Sequence, residues 1–523
     1  MNHNKTQINS SINQHKLFGL CMLTTIAALS TITAWSSNAH AEGNTYSNKL
    51  LLTGGVSQVE GAAGGGLTPW AVIGGYGTNN EIGGNAHYTY VKSGDFDLNS
   101  FGVTMGFYDR FELSVAEQKF DVSNLRSKVS AGLGADAIGR DSLDQTIIGA
   151  KVRVFGEAVL DADTWVPQVA VGVQYKKNHD GDFIKGAVVG AKQDHGVDFY
   201  ASATKLLLDK NLLLNSTLRF TKANQFGLLG FGGSKDNSYN PELELSAAYL
   251  LRKDVAIGVE YRMKPNNLES PANTLLFGGA KVVDLKEDDA FDVFIAYAPT
   301  KNISVTAAYV NLGNIATVKA VGADYGKQEG VYLSAQVGFY TYYYLKECTM
   351  NFKMKALLAA LFVSTSLSFA MPAMSLEKAA APSGSPNLGN TPMEGTETFQ
   401  AFGGKEGLVK IMDDFMIGLV ADPRTKPFFD NNKQTFIKAM LVEQMCELMN
   451  GGCKYTGRDM STAHASMKVN REAFNALVEQ FQFAMDKHDV PFSAQNKLLA
   501  KLAPMYREIE TTNGPAVPPN IAK

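Results

Sequence analysis

A period-two alternation of apolar and polar residues recurs between residues 48 and 340, and it constrains the fold more than any other feature of the chain. In "PELELSAAYL" (241–250), Leu243 and Leu245 alternate with Glu242 and Glu244, which gives a strand one apolar and one polar face. About fourteen such stretches are recognisable. They lie at about 48–58, 69–78, 81–92, 98–107, 110–120, 142–155, 163–176, 196–207, 210–221, 242–251, 254–264, 288–298, 302–312 and 329–340.

The connections between these stretches alternate in length, which favours a transmembrane barrel. Tight turns fall near residues 79, 109, 209, 253 and 300, and long loops at 121–141, 177–195, 222–241, 265–287 and 313–328. Outer-membrane barrels place short turns at the periplasm and long loops outside, whereas a soluble β-sandwich, the alternative fold, has no reason to alternate them. Residues 42–349 are therefore predicted to form an antiparallel β-barrel of about fourteen strands whose outer face contacts outer-membrane lipid.

Charged and aromatic residues in the strands indicate how such a barrel is oriented. Hydrocarbon cannot hydrate a charged group, so we expect a water-filled lumen lined by Lys151, Arg153, Arg219, Glu244, Glu260 and Arg262. The aromatic residues near strand ends are expected to form interfacial girdles, and they include Trp70, Tyr249, Tyr297 and Tyr309. An even number of strands places both ends of the barrel segment on the periplasmic side.

Two glycine-rich stretches of this half carry a family resemblance. They are "NKLLLTGGVSQVEGAAGGGLTPWAVIGGYGTNNEIG" (48–83) and "NQFGLLGFGG" (224–233). Over about 48–345 the chain resembles DUF3034, a family of uncharacterised exported proteins of proteobacteria. The resemblance implies kinship and brings no known activity.

Two segments have the pattern of export signals. Residues 1–41 combine a weakly basic start and an apolar run with Ala39-His40-Ala41, a small-x-small cleavage site, so we expect a signal peptide; a single-span anchor is the alternative. Residues 350–373 repeat this pattern in the middle of the chain. Two leaders in one chain indicate two joined reading frames, with a fusion that kept both leaders as the alternative.

The residues after the second leader change from alternation to helical periodicity. Residues 374–399 are rich in Pro, Gly and Ala and are predicted to be a flexible linker. In the remainder, 400–523, apolar residues such as Phe474, Leu477 and Phe481 recur at spacings of three and four. This part is predicted to be a small all-α domain, and a helical bundle without chemistry is its simplest interpretation.

Two cysteines lie within this helical domain. Cys446 and Cys453 are seven residues apart and could form a disulfide if the helix between them ends, which "NGG" at 450–452 permits. Oxidation is expected in an exported protein. We therefore predict a structural disulfide that fixes the helix end.

Three motifs of the helical domain point to haem. "GGKEGLVKIMDDF" (403–415), "DPRTKPFFD" (422–430) and "NGGCKYTGRDMSTAH" (450–464) resemble, in order and spacing, a group 1 truncated haemoglobin, the two-over-two helical globin. The resemblance extends over about 400–512, and it implies that His464 ligates the iron of haem b. Haem iron needs one imidazole on a rigid element, and the other histidine after the second leader, His488, lies in a polar turn.

The distal side departs from the family. Met416 follows Phe415 where the family commonly has a tyrosine, so the hydroxyl that would bond to bound dioxygen is missing. We expect weak retention of dioxygen unless Gln444 or Lys438 supplies a donor; a His/Met six-coordinate iron is the second possibility. Besides His464, the haem contacts implied by the resemblance are Phe415, Met416, Phe429, which would stack on the porphyrin, Ile437, Met440, Leu441, Tyr455 and Met460.

These observations predict haem-dependent binding of dioxygen or nitric oxide in the periplasm of a Gram-negative bacterium, with an outer-membrane barrel encoded ahead of the globin. Turnover, as a nitric oxide dioxygenase or a peroxidase, is the enzymatic alternative and would need an unidentified electron donor. A channel or structural protein with an accessory haem domain is a further alternative. The net charge of −3 and the lack of long basic runs give no reason to expect a nucleic-acid partner.

Overall fold

The computed structural model describes residues 48–341, 391–430 and 433–512, which belong to one compact unit. The leaders expected at 1–41 and 350–373, and most of the linker expected at 374–399, lie outside the described residues. No helix in the described part of the chain is long and apolar enough to cross a bilayer.

The first half is a closed antiparallel barrel of twelve strands. The strands are β1 (Ile82–Ser93), β2 (Phe96–Phe107), β3 (Phe111–Asp121), β4 (Ser142–Phe155), β5 (Gln168–Asn178), β6 (His195–Leu207), β7 (Leu212–Thr221), β8 (Asn240–Arg252), β9 (Val255–Arg262), β10 (Ala290–Thr300), β11 (Ile303–Asn311) and β12 (Glu329–Thr341). Each strand pairs with its neighbours in sequence, and β12 pairs with β1 to close the ring, with Gly330 opposite Ser93.

Burial alternates along the strands as the sequence pattern predicts. In β3, Phe111, Leu113 and Val115 are 53%, 52% and 49% exposed, while Glu112 and Ser114 between them are buried. The outer face of the barrel is therefore apolar and its inner face polar. The prediction of an antiparallel barrel with this orientation is confirmed.

The count of about fourteen strands is wrong, because the stretches at 48–58 and 69–78 are not part of the barrel wall. Residues 54–78, called the inner segment below, are all buried, and Lys151 of β4 donates hydrogen bonds to the carbonyls of Ala63 and Trp70 at 2.9 and 3.0 Å. The alternation was misleading here because a segment packed inside the lumen and a wall strand with an apolar outer face show the same period of two. Trp70 is likewise no girdle residue: it is buried, and its indole N–H donates to Ser246 at 3.0 Å.

The two ends of the barrel differ. At one end, the turn end, both Ile82 and Thr341 lie beside the connections 108–110, 156–167, 208–211, 253–254 and 301–302. At the other end, the loop end, the connections 122–141, 179–194, 222–239, 263–289 and 312–328 are long, and only 94–95 is short. The loops there pack on one another through an apolar cluster that includes Phe96, Phe120, Ile184, Leu285 and Tyr325.

The second half is helical. Its helices are α1 (Glu397–Ala401), α2 (Gly404–Ala421), α3 (Lys426–Phe429), α4 (Gln434–Leu448), α5 (Met460–His464), α6 (Arg471–Lys487), α7 (Phe492–Leu502) and α8 (Tyr506–Ile509). The longest ones, α2, α4 and α6, pack together around Ile411, Phe415, Met445 and Phe481. Asn470 caps α6, since its side chain accepts a hydrogen bond from the Ala473 N–H at 2.9 Å.

Candidate functional site

His464 ends the short helix α5, which begins at a side-chain cap: Asp459 accepts a hydrogen bond from the Thr462 N–H at 2.8 Å. The Nδ1 atom of His464 lies 2.8 Å from the carbonyl oxygen of Met460. A carbonyl can only accept, so Nδ1 carries the proton and Nε2 keeps its lone pair. Burial lowers the pKa of His464 and so favours this neutral form. The imidazole is held in the tautomer and orientation that a metal ligand requires.

His464 lies in the wall of a cavity of about 770 Å³. The structure places seven other residues expected from the sequence around the same cavity: Phe415, Phe429, Ile437, Met440, Leu441, Tyr455 and Met460. Their side chains come from α2, α3, α4 and α5 and from the loop before α5. The cavity is therefore mainly apolar, with one imidazole in its wall.

Met416 is the expected contact that the structure does not bring to this cavity. It is buried, but it lines a separate shallow pocket with Ile417 and Lys438. Met412 and Phe415 of the same helix line the cavity instead. On α2, the family resemblance implied contacts only for Phe415 and the residue after it, so Met412 was not among the expected contacts. Helical periodicity could have identified it, because residues three apart lie on the same face of a helix.

Two hydroxyl groups at the cavity already have hydrogen-bond acceptors. The hydroxyl of Tyr455 donates to the carbonyl of Arg458 at 2.8 Å, and the hydroxyl of Thr425 donates to the carbonyl of Leu419 at 2.7 Å. The amide nitrogen of Gln444 has only weak sulfur acceptors, at 3.9 Å from Met460 and 3.8 Å from Met505. Lys438, the other donor considered above, pairs with Asp413 at 2.5 Å instead.

His488 has a different environment. Its Nε2 lies 2.7 Å from a carboxylate oxygen of Asp414, which also pairs with Lys487 at 2.6 Å. This histidine is thus a hydrogen-bond partner of Asp414 at the end of α6. Within the described residues, no group of three or more His, Cys, Asp or Glu side chains could hold a metal ion.

A disulfide joins Cys446 of α4 to Cys453, with Cα atoms 5.6 Å apart. The chain reverses between them through left-handed conformations at Asn450 (φ 57°) and Gly452 (φ 79°). The Gly451 N–H donates to the Cys446 carbonyl at 2.7 Å and closes the helix end. The disulfide thus fixes the end of α4 to the loop that leads to His464.

The barrel interior holds a second cluster of functional groups. Glu60 of the inner segment pairs with Lys176 and with Arg262, the latter at 3.0 Å, and lies 3.8 Å from Arg219. Glu244 pairs with Arg219 at 2.5 Å and with Arg262 at 3.1 Å. Of the expected lumen-facing charges, Lys151, Arg219 and Arg262 contact the inner segment. The inner segment thus occupies the lumen that we expected to be filled with water.

The remaining two of the six expected lumen residues, Glu260 and Arg153, differ in their surroundings. Glu260 accepts hydrogen bonds from the Leu67 N–H and the Thr68 hydroxyl, each at 2.6 Å, so it too binds the inner segment. Arg153 is different: it lies at the turn end, where it pairs with Asp109 at 2.5 Å and Glu157 at 3.0 Å.

Comparison with known proteins separates the two halves. The helical half is 25% identical over 118 residues to the group 1 truncated hemoglobin GlbN of Mycolicibacterium paratuberculosis, covering 23% of this chain and 87% of that protein. The truncated hemoglobin of Tetrahymena pyriformis (20% identity, TM-score 0.22) covers 22% of this chain and 98% of its own. The NanC porin (9% identity, TM-score 0.30) covers 49% and 98%. Both TM-scores are low, so no functional conclusion follows from the two solved structures.

Two family models match the chain, one in each half. Residues 397–511 match the bacterial-like globin model, so the helical half is a globin domain. Residues 53–336, more than half of the chain, match the model of DUF3034, a protein of unknown function. The chain therefore belongs to the DUF3034 family and carries a globin domain after its barrel.

Proposed function

We propose that the globin domain binds haem b, with His464 as the proximal ligand, and that it binds a diatomic gas, dioxygen or nitric oxide. The domain would occupy most of 400–523, after a leader at 350–373 and a linker at 374–399. The cavity suits the group, because its wall is largely apolar, as a porphyrin ring requires, and one imidazole with a free lone pair faces it. A bound haem would supply the iron to which the gas binds.

The hydrogen bond from His464 Nδ1 to the Met460 carbonyl carries this proposal. It leaves Nε2 as the only ring nitrogen able to ligate, and the ring lies at the cavity. In contrast, Nε2 of His488 is committed to Asp414. The rest of the wall excludes water from the ring faces: Phe429 and Phe415 would contact the porphyrin, as would Ile437, Met440, Leu441, Tyr455 and Met460. Met416 is left out of this set, because it lines a separate pocket.

The polar groups of the cavity support gas binding with weak retention of dioxygen. Strong retention needs a donor free to bond to the bound gas, whereas the Tyr455 and Thr425 hydroxyls donate to backbone carbonyls. Gln444 is a candidate donor, because its present partners are weak acceptors. Turnover as a dioxygenase or peroxidase would require an electron donor as well as such a group, so we propose a ligand-binding role in place of an enzymatic one.

We propose further that the barrel lies in the outer membrane of a Gram-negative cell and holds the globin domain on the periplasmic side. The apolar outer face of the strands supports contact with lipid. The inner segment in the lumen supports an anchoring role rather than a channel. A channel is the second candidate and would require the inner segment to leave the lumen.

Absorption spectroscopy of the full chain in detergent tests the haem proposal. We expect a Soret band after haem addition to the wild type. For His464→Ala we expect that this band is lost or that the absorption spectrum of the bound haem is changed. His488→Ala is the matched control and should bind haem like the wild type, because its imidazole is paired outside the cavity. An unchanged spectrum for His464→Ala would rule out the assigned ligand.

A further inference from the structure

The turn end of the barrel and the globin domain share a polar interface. Globin residue Arg471 pairs with barrel residue Glu157 at 3.2 Å. Arg507 pairs with Asp161 at 2.9 Å and with Asp163 at 2.5 Å. Two globin arginines therefore face three carboxylates of one barrel connection, 156–167.

This connection is longer than the others at the turn end. Its three acidic residues pair with the arginine side chains of the globin domain, so the additional residues of this connection form part of the interface. Burial opposes ionisation of Glu157, but Arg153 and Arg471 together lower its pKa to about 2, so it stays charged in the interface. The Tyr506 hydroxyl adds a hydrogen bond to Asp161 at 2.9 Å.

Other ion pairs of this interface have the charges reversed, with the cation on the barrel and the carboxylate on the globin domain. Lys253 of the barrel pairs with Asp486 of the globin domain at 2.5 Å, and Lys301 pairs with Glu479. The opposite arrangement of charges at separate points fixes one orientation of the two surfaces.

Buried contacts lie between these ion pairs. The Asn496 amide donates to the Asn211 side chain at 2.8 Å, and the Asn475 amide donates to the carbonyl of Asn48 at 2.8 Å. Leu160, Leu206 and Leu208 of the barrel belong to the apolar core of the globin domain. A buried amide pair and a shared apolar core are features of a specific interface.

We propose that the barrel and the globin domain are docking partners that bind each other through this surface even when they are separate polypeptides. Cleavage after the leader expected at 350–373 would produce two such polypeptides. The surface then keeps the globin domain at the turn end of the barrel without a covalent connection. This inference does not depend on haem, because no haem contact is needed for the ion pairs.

The test uses the full chain with a specific protease site placed within 374–390. After cleavage in detergent, we expect the halves to co-elute in size-exclusion chromatography at physiological salt. Arg507→Asp should weaken their binding at least about tenfold, because it sets two carboxylates of the barrel against a third. Asp161→Arg with Asp163→Arg should have the same effect from the other side.

Combining the reversed charges on both sides should restore binding, which a misfolded variant could not do. Lys410→Asp is the matched control, an exposed charge reversal on the outer part of α2, and should leave binding unchanged. Separation of the wild-type halves after cleavage would overturn the proposal. Co-elution that neither reversal weakens would overturn the assigned surface. Haem uptake is read separately from the Soret band of the uncleaved chain, because Leu160 and Leu208 of the barrel also line the cavity.

Discussion

The barrel lumen and the globin cavity are two interiors of one chain, filled in opposite ways. In the lumen, Glu60 neutralises cations from three strands, so the charged groups have partners from the chain itself. In the cavity, the wall is apolar, and His464 uses one ring nitrogen on the backbone while the other keeps its lone pair. The paired charges around Glu60 stabilise the fold, whereas the unused ring nitrogen of His464 is available to bind a ligand.

The largest effect on stability is expected from removing the ion pairs of Glu60 in the barrel lumen. Glu60→Gln removes the charge that faces Lys176, Arg219 and Arg262 while keeping the side-chain shape. Breaking a buried ion pair from one side costs about 3–5 kcal/mol, so the thermal unfolding midpoint of the barrel should fall sharply. Glu269→Gln, on an exposed loop residue, is the control and should leave the midpoint unchanged. An unaltered midpoint for Glu60→Gln would mean that the inner segment does not stabilise the lumen.

The next-largest effect tests which methionine of α2 lies at the cavity. Met412→Tyr should place a phenol hydroxyl at the cavity, whereas Met416→Tyr should not, because Met416 lines a separate pocket. A hydrogen bond to a partly charged bound gas is worth about 1.5–3 kcal/mol, or roughly tenfold to a hundredfold in affinity. Stopped-flow measurement of dioxygen dissociation should show slowing for Met412→Tyr alone. Slowing only for Met416→Tyr would contradict the placement of Met416 outside the cavity.

The same two interiors show what could be read from the sequence. Twelve of the strands were predicted because an apolar outer face and a polar inner face impose period two on every wall strand. The helical fold was predicted from apolar residues at spacings of three and four, whereas His464 as the haem ligand was implied by the family resemblance and stays a prediction. The inner segment was misread as two strands, since its residues obey the same alternation while packing inside the lumen. The contacts of Glu60 with β5, β7 and β9 depend on tertiary pairing over more than a hundred residues, which no local pattern encodes.

The placement of Met416 shows a similar limit. A family position predicts which residue type is expected after Phe415, but a helix turns about 100° per residue, so adjacent residues face different neighbours. The packing of α2 against α4 decides which side chain reaches the cavity, and it selects Met412. Pairing of Cys446 with Cys453 needed less information, because both the helix end and the short separation are local.

A smaller effect tests how the cavity is held. The disulfide fixes the end of α4 beside the loop that leads to His464, whereas the described barrel relies on ion pairs and hydrogen bonds. Replacing both Cys446 and Cys453 by serine should cost about 2 kcal/mol, the lower end of the range for disulfides, because the closed loop is short. Calorimetry should show a lower unfolding temperature for the globin transition and no change for the barrel. Dithiothreitol added to the wild type should reproduce the shift; a shift of the barrel transition instead would contradict this division.

The smallest effect concerns the surface where the two regions meet. Burial of Glu472 beside Glu81 raises the pKa of Glu472 to about 7, although Arg424 acts against this. The pKa is raised above the usual 4.5, so the docked surface favours the neutral form of Glu472. The resulting stabilisation of the docked state is fully present below pH 4.5, and it is lost as the pH rises through 7. Glu157, with a pKa near 2, does not titrate in this window. Binding of the cleaved halves should therefore weaken between pH 5.5 and pH 7.5, by about several-fold at most because Glu472 is partly exposed to solvent. Glu472→Gln should abolish the dependence, and the Glu269→Gln chain should keep it; an equal dependence in both variants would place the titrating group elsewhere.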